Sequence, residues 1–234
     1  SPFLLRFFEK RRSTLAATIL AWLAYNWMGI AFLFACFALL YDVGQLVFPH
    51  ISDAEALTAT VGLTVMASIY GFYESRQVGM NFLTVRSPKF EGDKGMPVRI
   101  VQISDLHLGY GTLPGHIRRI LEKVRSLEPD LVVSTGDLYD SNLEQLDGYA
   151  QLLKSLHPPM GKIAVTGNHE LNAGLPQALD LTERSGFRIL RSATKEVAPN
   201  LFIAGVDDPE ALAGDSTEAA EKEALQQIPE SAFA

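Results

Sequence analysis

The sequence predicts an α/β domain on a mainly parallel sheet, preceded by a transmembrane helical hairpin. Three observations lead there. Two long stretches near the N-terminus carry no formal charge, short apolar runs alternate with helix-period segments after residue 97, and a polar block follows each of the first three runs.

Ser13 to Tyr41 is a run of 29 uncharged residues dominated by Leu, Ala, Phe, Ile and Trp, longer than the ~20 residues that cross a hydrocarbon core. It predicts a span of about residues 14–40. Ala56 to Tyr73 is a second uncharged run, of 18 residues, which closes on Tyr70, Phe72 and Tyr73. Aromatic rings suit the membrane interface, so a second span is predicted over about residues 56–73. Thr58, Thr60, Gly62, Thr64 and Ser68 are small enough to let the two helices approach closely, and Asn26 reads as a hydrogen-bonding residue between them. Arg6, Lys10, Arg11 and Arg12 precede the first span, the loop Asp42 to Glu55 lacks Lys and Arg, and Arg76, Arg86 and Lys89 follow the second. Basic flanks stay on the cytoplasmic side, which puts both ends in the cytoplasm. A secretory signal ending near Leu33-Phe34-Ala35-Cys36 is the competing reading; the length of the run, its continuation past Cys36 and the second segment argue against it. Ser1-Pro2 is not a natural start, so upstream residues are expected.

Charge divides the chain. Residues 1–89 hold seven Lys and Arg against five Asp and Glu, net +2, whereas residues 90–234 hold thirteen against twenty-two, net −9. The acidic half repels nucleic acid backbones, so no nucleic acid partner is expected. A single cysteine, Cys36, excludes both a disulfide framework and a cysteine-rich zinc site. Any metal must be held by His, Asn and carboxylates.

Ser87 to Met96 contains Pro88, Gly92, Asp93, Lys94 and Gly95 and reads as turn-rich connection. The organisation is thus a membrane region 1–89, a linker 90–96 and a globular domain 97–234. Val98 to Ile103 predicts the first strand. Ile117, Ile120, Leu121 and Val124 then recur at helical spacing. Leu131 to Thr135 repeats the strand signal, Leu143 to Leu156 is helix-like, Lys162 to Thr166 is strand and Leu175 to Ser185 helix. Such alternation predicts parallel strands covered by helices. Further strands are expected at Phe187 to Leu190 and Leu201 to Val206, and an exposed helix over Ser216 to Gln227.

Ser104-Asp105-Leu106-His107 follows the first run, Gly136-Asp137-Leu138-Tyr139-Asp140 the second, and Gly167-Asn168-His169-Glu170 the third. Each block lies just past the carboxyl end of a predicted parallel strand, the edge where α/β sheets form ligand crevices. Singly, each has a bland reading: a turn carboxylate beside a surface histidine, a Gly-Asp turn, a strand exit with Glu170 capping the next helix. Three of them at three successive strand ends point to one site, and their donors suit Mn, Fe or Zn without thiols.

The series D-x-H, G-D-x-x-D, G-N-H-E resembles the first three signature blocks of calcineurin-like metallophosphoesterases, over roughly Val98 to Val206. The stretch Leu201 to Pro209 also resembles the bacterial membrane-anchored branch, which includes hydrolases of the UDP-diacylglucosamine pyrophosphatase type. The resemblance implies an α/β/β/α sandwich of which this chain holds the first half. It implies two divalent ions, with Asp105 and His107 on the first metal, Asp137 bridging both and Asn168 on the second. It also implies His169 as the catalytic histidine, oriented by Asp140, with attack on phosphorus by metal-activated hydroxide. Glu170 reads as a helix-start carboxylate, with support of the metal ligands as the alternative. The implied substrate is a phosphodiester or pyrophosphate, which the hairpin would bring within reach of a lipid at the bacterial inner membrane, with the domain in the cytoplasm.

The chain departs from the family in two places. Where the phosphoprotein-phosphatase branch carries phosphate-gripping arginines, Ser141 and Thr166 stand here, which favours a diester or pyrophosphate over a phosphoprotein. The family's later lone His and G-H-x-H block do not occur before Ala234; His50, His116 and His157 lack that context. The expectation is a chain cut before those ligands, with weak metal binding of its own. A membrane-tethered binding or sensor domain with an incomplete metal site is the alternative, and a G-H-x-H block beyond Ala234 would decide against it. Two smaller expectations concern Gly109-Tyr110-Gly111 as a rim over the metals, or an ordinary turn, and Asp207-Asp208 at the crevice mouth, or an acidic turn before Pro209.

Overall fold

The computed structural model describes residues 14–46, 52–90, 97–109, 112–140, 143, 146–212 and 216–234. Linker residues 91–96, the basic residues before Thr14, His50, Tyr110, Gly111 and Ser141 lie outside these. The chain forms two compact units divided between Gly79 and Met80.

The first unit is a helical pair, α1 (Thr14–Gln45) and α2 (Asp53–Glu74). Both are long and apolar enough to cross a membrane. Ser52 caps α2 by accepting from the Glu55 amide, while the Glu55 carboxylate returns to the Ser52 amide, a reciprocal capping box. Ala56, Thr60 and Thr64, one turn apart, are the buried stripe of α2. The Thr64 hydroxyl turns back to the Thr60 carbonyl at 2.7 Å, so burying it leaves no unmet donor. Trp22 of α1 stacks on Phe72 of α2 with centroids 6.2 Å apart. Two expectations change here. Asn26 donates to the Trp22 carbonyl within its own helix at 2.6 Å, not across the pair, because a carbonyl one turn back is always in reach. A Cβ on Gly62 would meet nothing within 4 Å, so Gly62 is not where the helices approach most closely.

The second unit carries the predicted alternation. Strands β1 (Ile100–Ile103), β2 (Leu131–Ser134), β3 (Lys162–Ala164) and β4 (Arg188–Ile189) pair in sequence order, all parallel. Helices α3 (Pro114–Ser126), α4 (Asp147–Lys154) and α5 (Asn168–Arg184) connect them. Pro114 opens α3, where its missing N–H costs nothing. Ile117, Leu121 and Val124 bury the face that their spacing predicts, with Ile120 packed at its margin. With Ile103, Val132, Ala164, Leu153, Leu181 and Phe187 they make the main core. The helix-like stretch from Leu143 begins as helix only at Asp147, although Leu143 and Leu146 both reach the core.

The opposite sheet face is covered by a hairpin of which the sequence predicts only the second strand. Strand β5 (Ala193–Ala198) pairs antiparallel with β6 (Leu201–Gly205), and Ala193, Val197 and Ile203 pack on Leu131, Ile163 and Leu190. Lys195 and Glu196 interrupt the apolar alternation of β5, so the period-2 signal is faint. Helix α6 (Thr217–Gln226) follows a short 3₁₀ turn, Pro209–Leu212. Helix α5 begins seven residues before the predicted Leu175, and Gly174 (φ 111°, ψ 95°) and Pro176 break it into two segments. The prediction caught the second segment; the first is too short and polar to show a helical period.

Candidate metal centre

The loops after β1 and β2 run side by side as an extension of the sheet. The amides of Asp105, His107 and Leu108 donate to the carbonyls of Gly136, Asp137 and Leu138 at 3.3, 3.0 and 3.0 Å, and the Asp140 amide donates to the Leu108 carbonyl at 3.1 Å. Leu108 and Tyr139 are fully buried beneath this ladder. Main-chain bonds of this kind place the first two polar blocks together whatever their side chains do.

The backbone there is not relaxed. Six described non-glycine residues have positive φ, and three of them are Asp105 (55°), His107 (42°) and Asp137 (52°). Each such conformation costs on the order of 1–3 kcal/mol and persists where the surroundings impose it, most often at functional sites. Gly136 (φ 101°) is required next to Asp137, since a Cβ there would lie 2.8 Å from the Gly167 amide nitrogen.

The third loop closes on the other two. The His169 amide donates to Asp137 Oδ1 at 3.0 Å. A Cβ on Gly167 would sit 2.1 Å from that same oxygen, so the loop forms a cradle for the Asp137 carboxylate that any larger residue would fill. His107, Asp137 and His169 each offer one ligand atom, and these lie within 4.8 Å of one another. That is close to twice a metal–nitrogen or metal–oxygen bond of about 2.1 Å. An all-oxygen-and-nitrogen donor set of this kind fits Mn, Fe or Zn. The rings of His107 and His169 meet edge to face with centroids 4.4 Å apart.

Asp140 reaches His169: its Oδ1 lies 2.9 Å from Nδ1. An ionised carboxylate only accepts, so Nδ1 carries the proton and Nε2 is left for other work. This hydrogen bond holds the imidazole above its ordinary pKa; partial burial opposes it, and the charges of Asp137, Asp140 and Glu170 add to it. Asp105 stands one step out, with Oδ1 3.8 Å from His107 Nε2 and its other oxygen taken by the Ser104 hydroxyl. Asn168 is the first residue of α5.

Residues behind the site hold the loops. Asp207 is buried, accepting from the Thr166 hydroxyl and from Arg191 Nε, both at 2.6 Å, and so ties the turn after β6 to the ends of β3 and β4. Tyr139 bonds Ser185 through its hydroxyl, and burial pushes its pKa up. Lys162 is buried, donating to the Leu153 and Ser185 carbonyls at 2.7 and 2.6 Å, with its Nζ 4.8 Å from the centre of the Phe187 ring. Burial, with a contribution from Lys154, pulls its pKa down to about 8. Glu170 is not merely at a helix start. It is 2% exposed and accepts three amides, those of Asp137, Tyr139 and Gly167.

Comparison with known proteins agrees with this geometry. The calcineurin-like phosphoesterase family profile matches residues 98–221. The chain is 38% identical over 146 residues to an uncharacterized metallophosphoesterase of Aquifex aeolicus, covering 62% of this chain and 55% of that protein. It is 33% identical over 162 residues to the UDP-2,3-diacylglucosamine pyrophosphatase LpxG of Chlamydia muridarum, covering 66% and 49%. It is 31% identical over 160 residues to a transmembrane protein with metallophosphoesterase domain of Danio rerio, covering 64% and 36%. The chain thus spans about half the length, or less, of these relatives. No solved structure matches it significantly. With its parallel sheet, its three blocks at successive strand ends and a family match across more than half its length, the chain belongs to the calcineurin-like phosphoesterase family.

Proposed function

We propose that the intact protein is a membrane-anchored, metal-dependent phosphohydrolase that cleaves a phosphodiester or pyrophosphate bond of a lipid-borne substrate. The observation that carries this reading is the convergence of His107, Asp137 and His169 on one point at the carboxyl edge of the sheet. Asp105, His107, Asp137 and Asn168 are the residues that would hold two divalent ions. Such ions, when bound, polarise a phosphate and make hydroxide available at neutral pH.

The chain's own residues supply the rest. Asp137 is held from both sides, by the His169 amide on its carboxylate and by Glu170 on its own amide. Asp140 accepts from His169 Nδ1–H and holds the imidazole above its ordinary pKa, which favours the doubly protonated ring, and that imidazolium gives its Nε2 proton to the departing oxygen. The same bond fixes the ring, so the donor does not have to be found by rotation as the ester breaks.

Lipid as the carrier is supported by the two helices of membrane-crossing length and by the LpxG relative, whose name describes a pyrophosphatase of an acylated sugar nucleotide. Arg76, Arg86 and Lys89 behind α2, with no Lys or Arg between Asp42 and Glu55, support a multi-pass inner-membrane protein with its domain in the cytoplasm. The test is hydrolysis of bis(p-nitrophenyl) phosphate with added manganese, by the intact protein in detergent. Activity lost in both Asp137→Asn and His169→Ala is expected; equal activity in either variant would remove the reading.

A further inference from the structure

We infer that Glu170 is a positioning residue that sets the posture of Asp137 by locking the loop after β2 to the loop after β3. This rests on the reading above that Asp137 binds metal. The two loops exchange carboxylates: Glu170 of the third loop accepts from the Asp137 amide at 3.0 Å, while Asp137 of the second accepts from the His169 amide at 3.0 Å. Glu170 also takes the Tyr139 amide at 2.9 Å and the Gly167 amide at 2.8 Å.

Two features separate this from a helix cap. A capping carboxylate at this position returns to one amide three residues back, here Gly167. The other two bonds reach 33 and 31 residues away and add nothing to helix formation. Asp137, moreover, sits at φ 52° directly after Gly136 at φ 101°. That turn carries its N–H out of the strand ladder, and a buried donor without a partner costs about 1–3 kcal/mol. Glu170 is the acceptor that makes the left-handed Asp137 tenable, and this conformation is the one in which its carboxylate meets His107 and His169. Glu170 is itself buried with both oxygens engaged, so it supports the ligand and does not replace it.

The test uses the intact protein in detergent with Glu170→Asp and Glu170→Gln. Aspartate keeps a charge at the first turn and still serves as a cap, but is one methylene short of Asp137. Manganese affinity by titration calorimetry and amide exchange at Asp137 and Tyr139 in the metal-free protein are the readouts. Both variants are expected to bind manganese roughly 10–100-fold more weakly, as losses of groups behind metal ligands do. The two amides should exchange slowly in the wild type and faster in the variants. Wild-type affinity in Glu170→Asp with both amides still slow would overturn the inference. So would fast exchange of these amides in the wild type, a measurement that needs no variant to fold. If no diester is cleaved but Glu170→Asp weakens manganese binding, the positioning role stands and the proposed reaction falls.

Discussion

His169 Nδ1 and Asp140 Oδ1 lie 2.9 Å apart, joining loops that are 29 residues distant in sequence. The pair divides labour between one ring nitrogen that is anchored and one that faces the site. His169→Ala is therefore expected to lower kcat by about 10²–10⁴-fold, the usual contribution of a positioned proton donor. Asp140→Asn should lower it less, because the ring loses its orienting charge but keeps its place. Steady-state rates on bis(p-nitrophenyl) phosphate, with manganese affinity measured alongside, would check both.

Metal removal should be visible without any substrate. Ions that bind the folded protein alone stabilise it by about 2.7 kcal/mol at one hundred times the dissociation constant. Adding a chelator is expected to lower the melting temperature of the wild type and to leave Asp137→Asn unmoved. Calorimetric scans with and without manganese would show it.

Gly167 and Gly205 predict different losses. A Cβ on Gly167 falls 2.1 Å from Asp137 Oδ1, so Gly167→Ala should displace the carboxylate and abolish metal binding. A Cβ on Gly205 meets Leu190 Cβ at 2.6 Å and Val165 Cγ1 at 2.8 Å, so Gly205→Ala should overpack the core and cost about 1–3 kcal/mol. Its folded fraction should still bind manganese. Unfolding and titration on both variants would separate the two effects.

Lys162 predicts a pH dependence on the alkaline side. Its folded pKa of about 8 lies below the 10.5 of a free lysine, so between these values the unfolded chain holds a proton that the folded domain has released. Stability from this group therefore rises with pH across that window. The wild type should gain on Lys162→Met between pH 8 and pH 10, as scanning calorimetry would read.

The frame was legible because its signals are local. Ile117, Leu121 and Val124 report a helix face by spacing alone, and VRIVQI and LVVST report strands buried in a parallel sheet. His107, Asp137 and His169 were legible from the polar blocks that follow successive strands, although the group they form does not include Asp105. What escaped depends on partners far away. Strand β5 has an ordinary polar sequence and is fixed by pairing with β6 over Leu131 and Ile163. The reach of Glu170 across 33 residues leaves no mark on the segment around it, which reads first as a helix start and offers support of the metal ligands only as the alternative.

The break at Gly174 gives α5 two loyalties. Asn168, His169 and Glu170 ride on the short first segment, which is fastened to the neighbouring loops. Ala178 and Leu181 ride on the second, which is seated in the core. The joint interrupts the helical hydrogen bonding between them, so a core substitution such as Leu181→Ala is expected to tilt the long segment while the short one keeps its grip on Asp137. Substitutions along the second segment are therefore expected to disturb the rim less than substitutions of Leu108 or Tyr139, which lie in the core directly beneath the ladder.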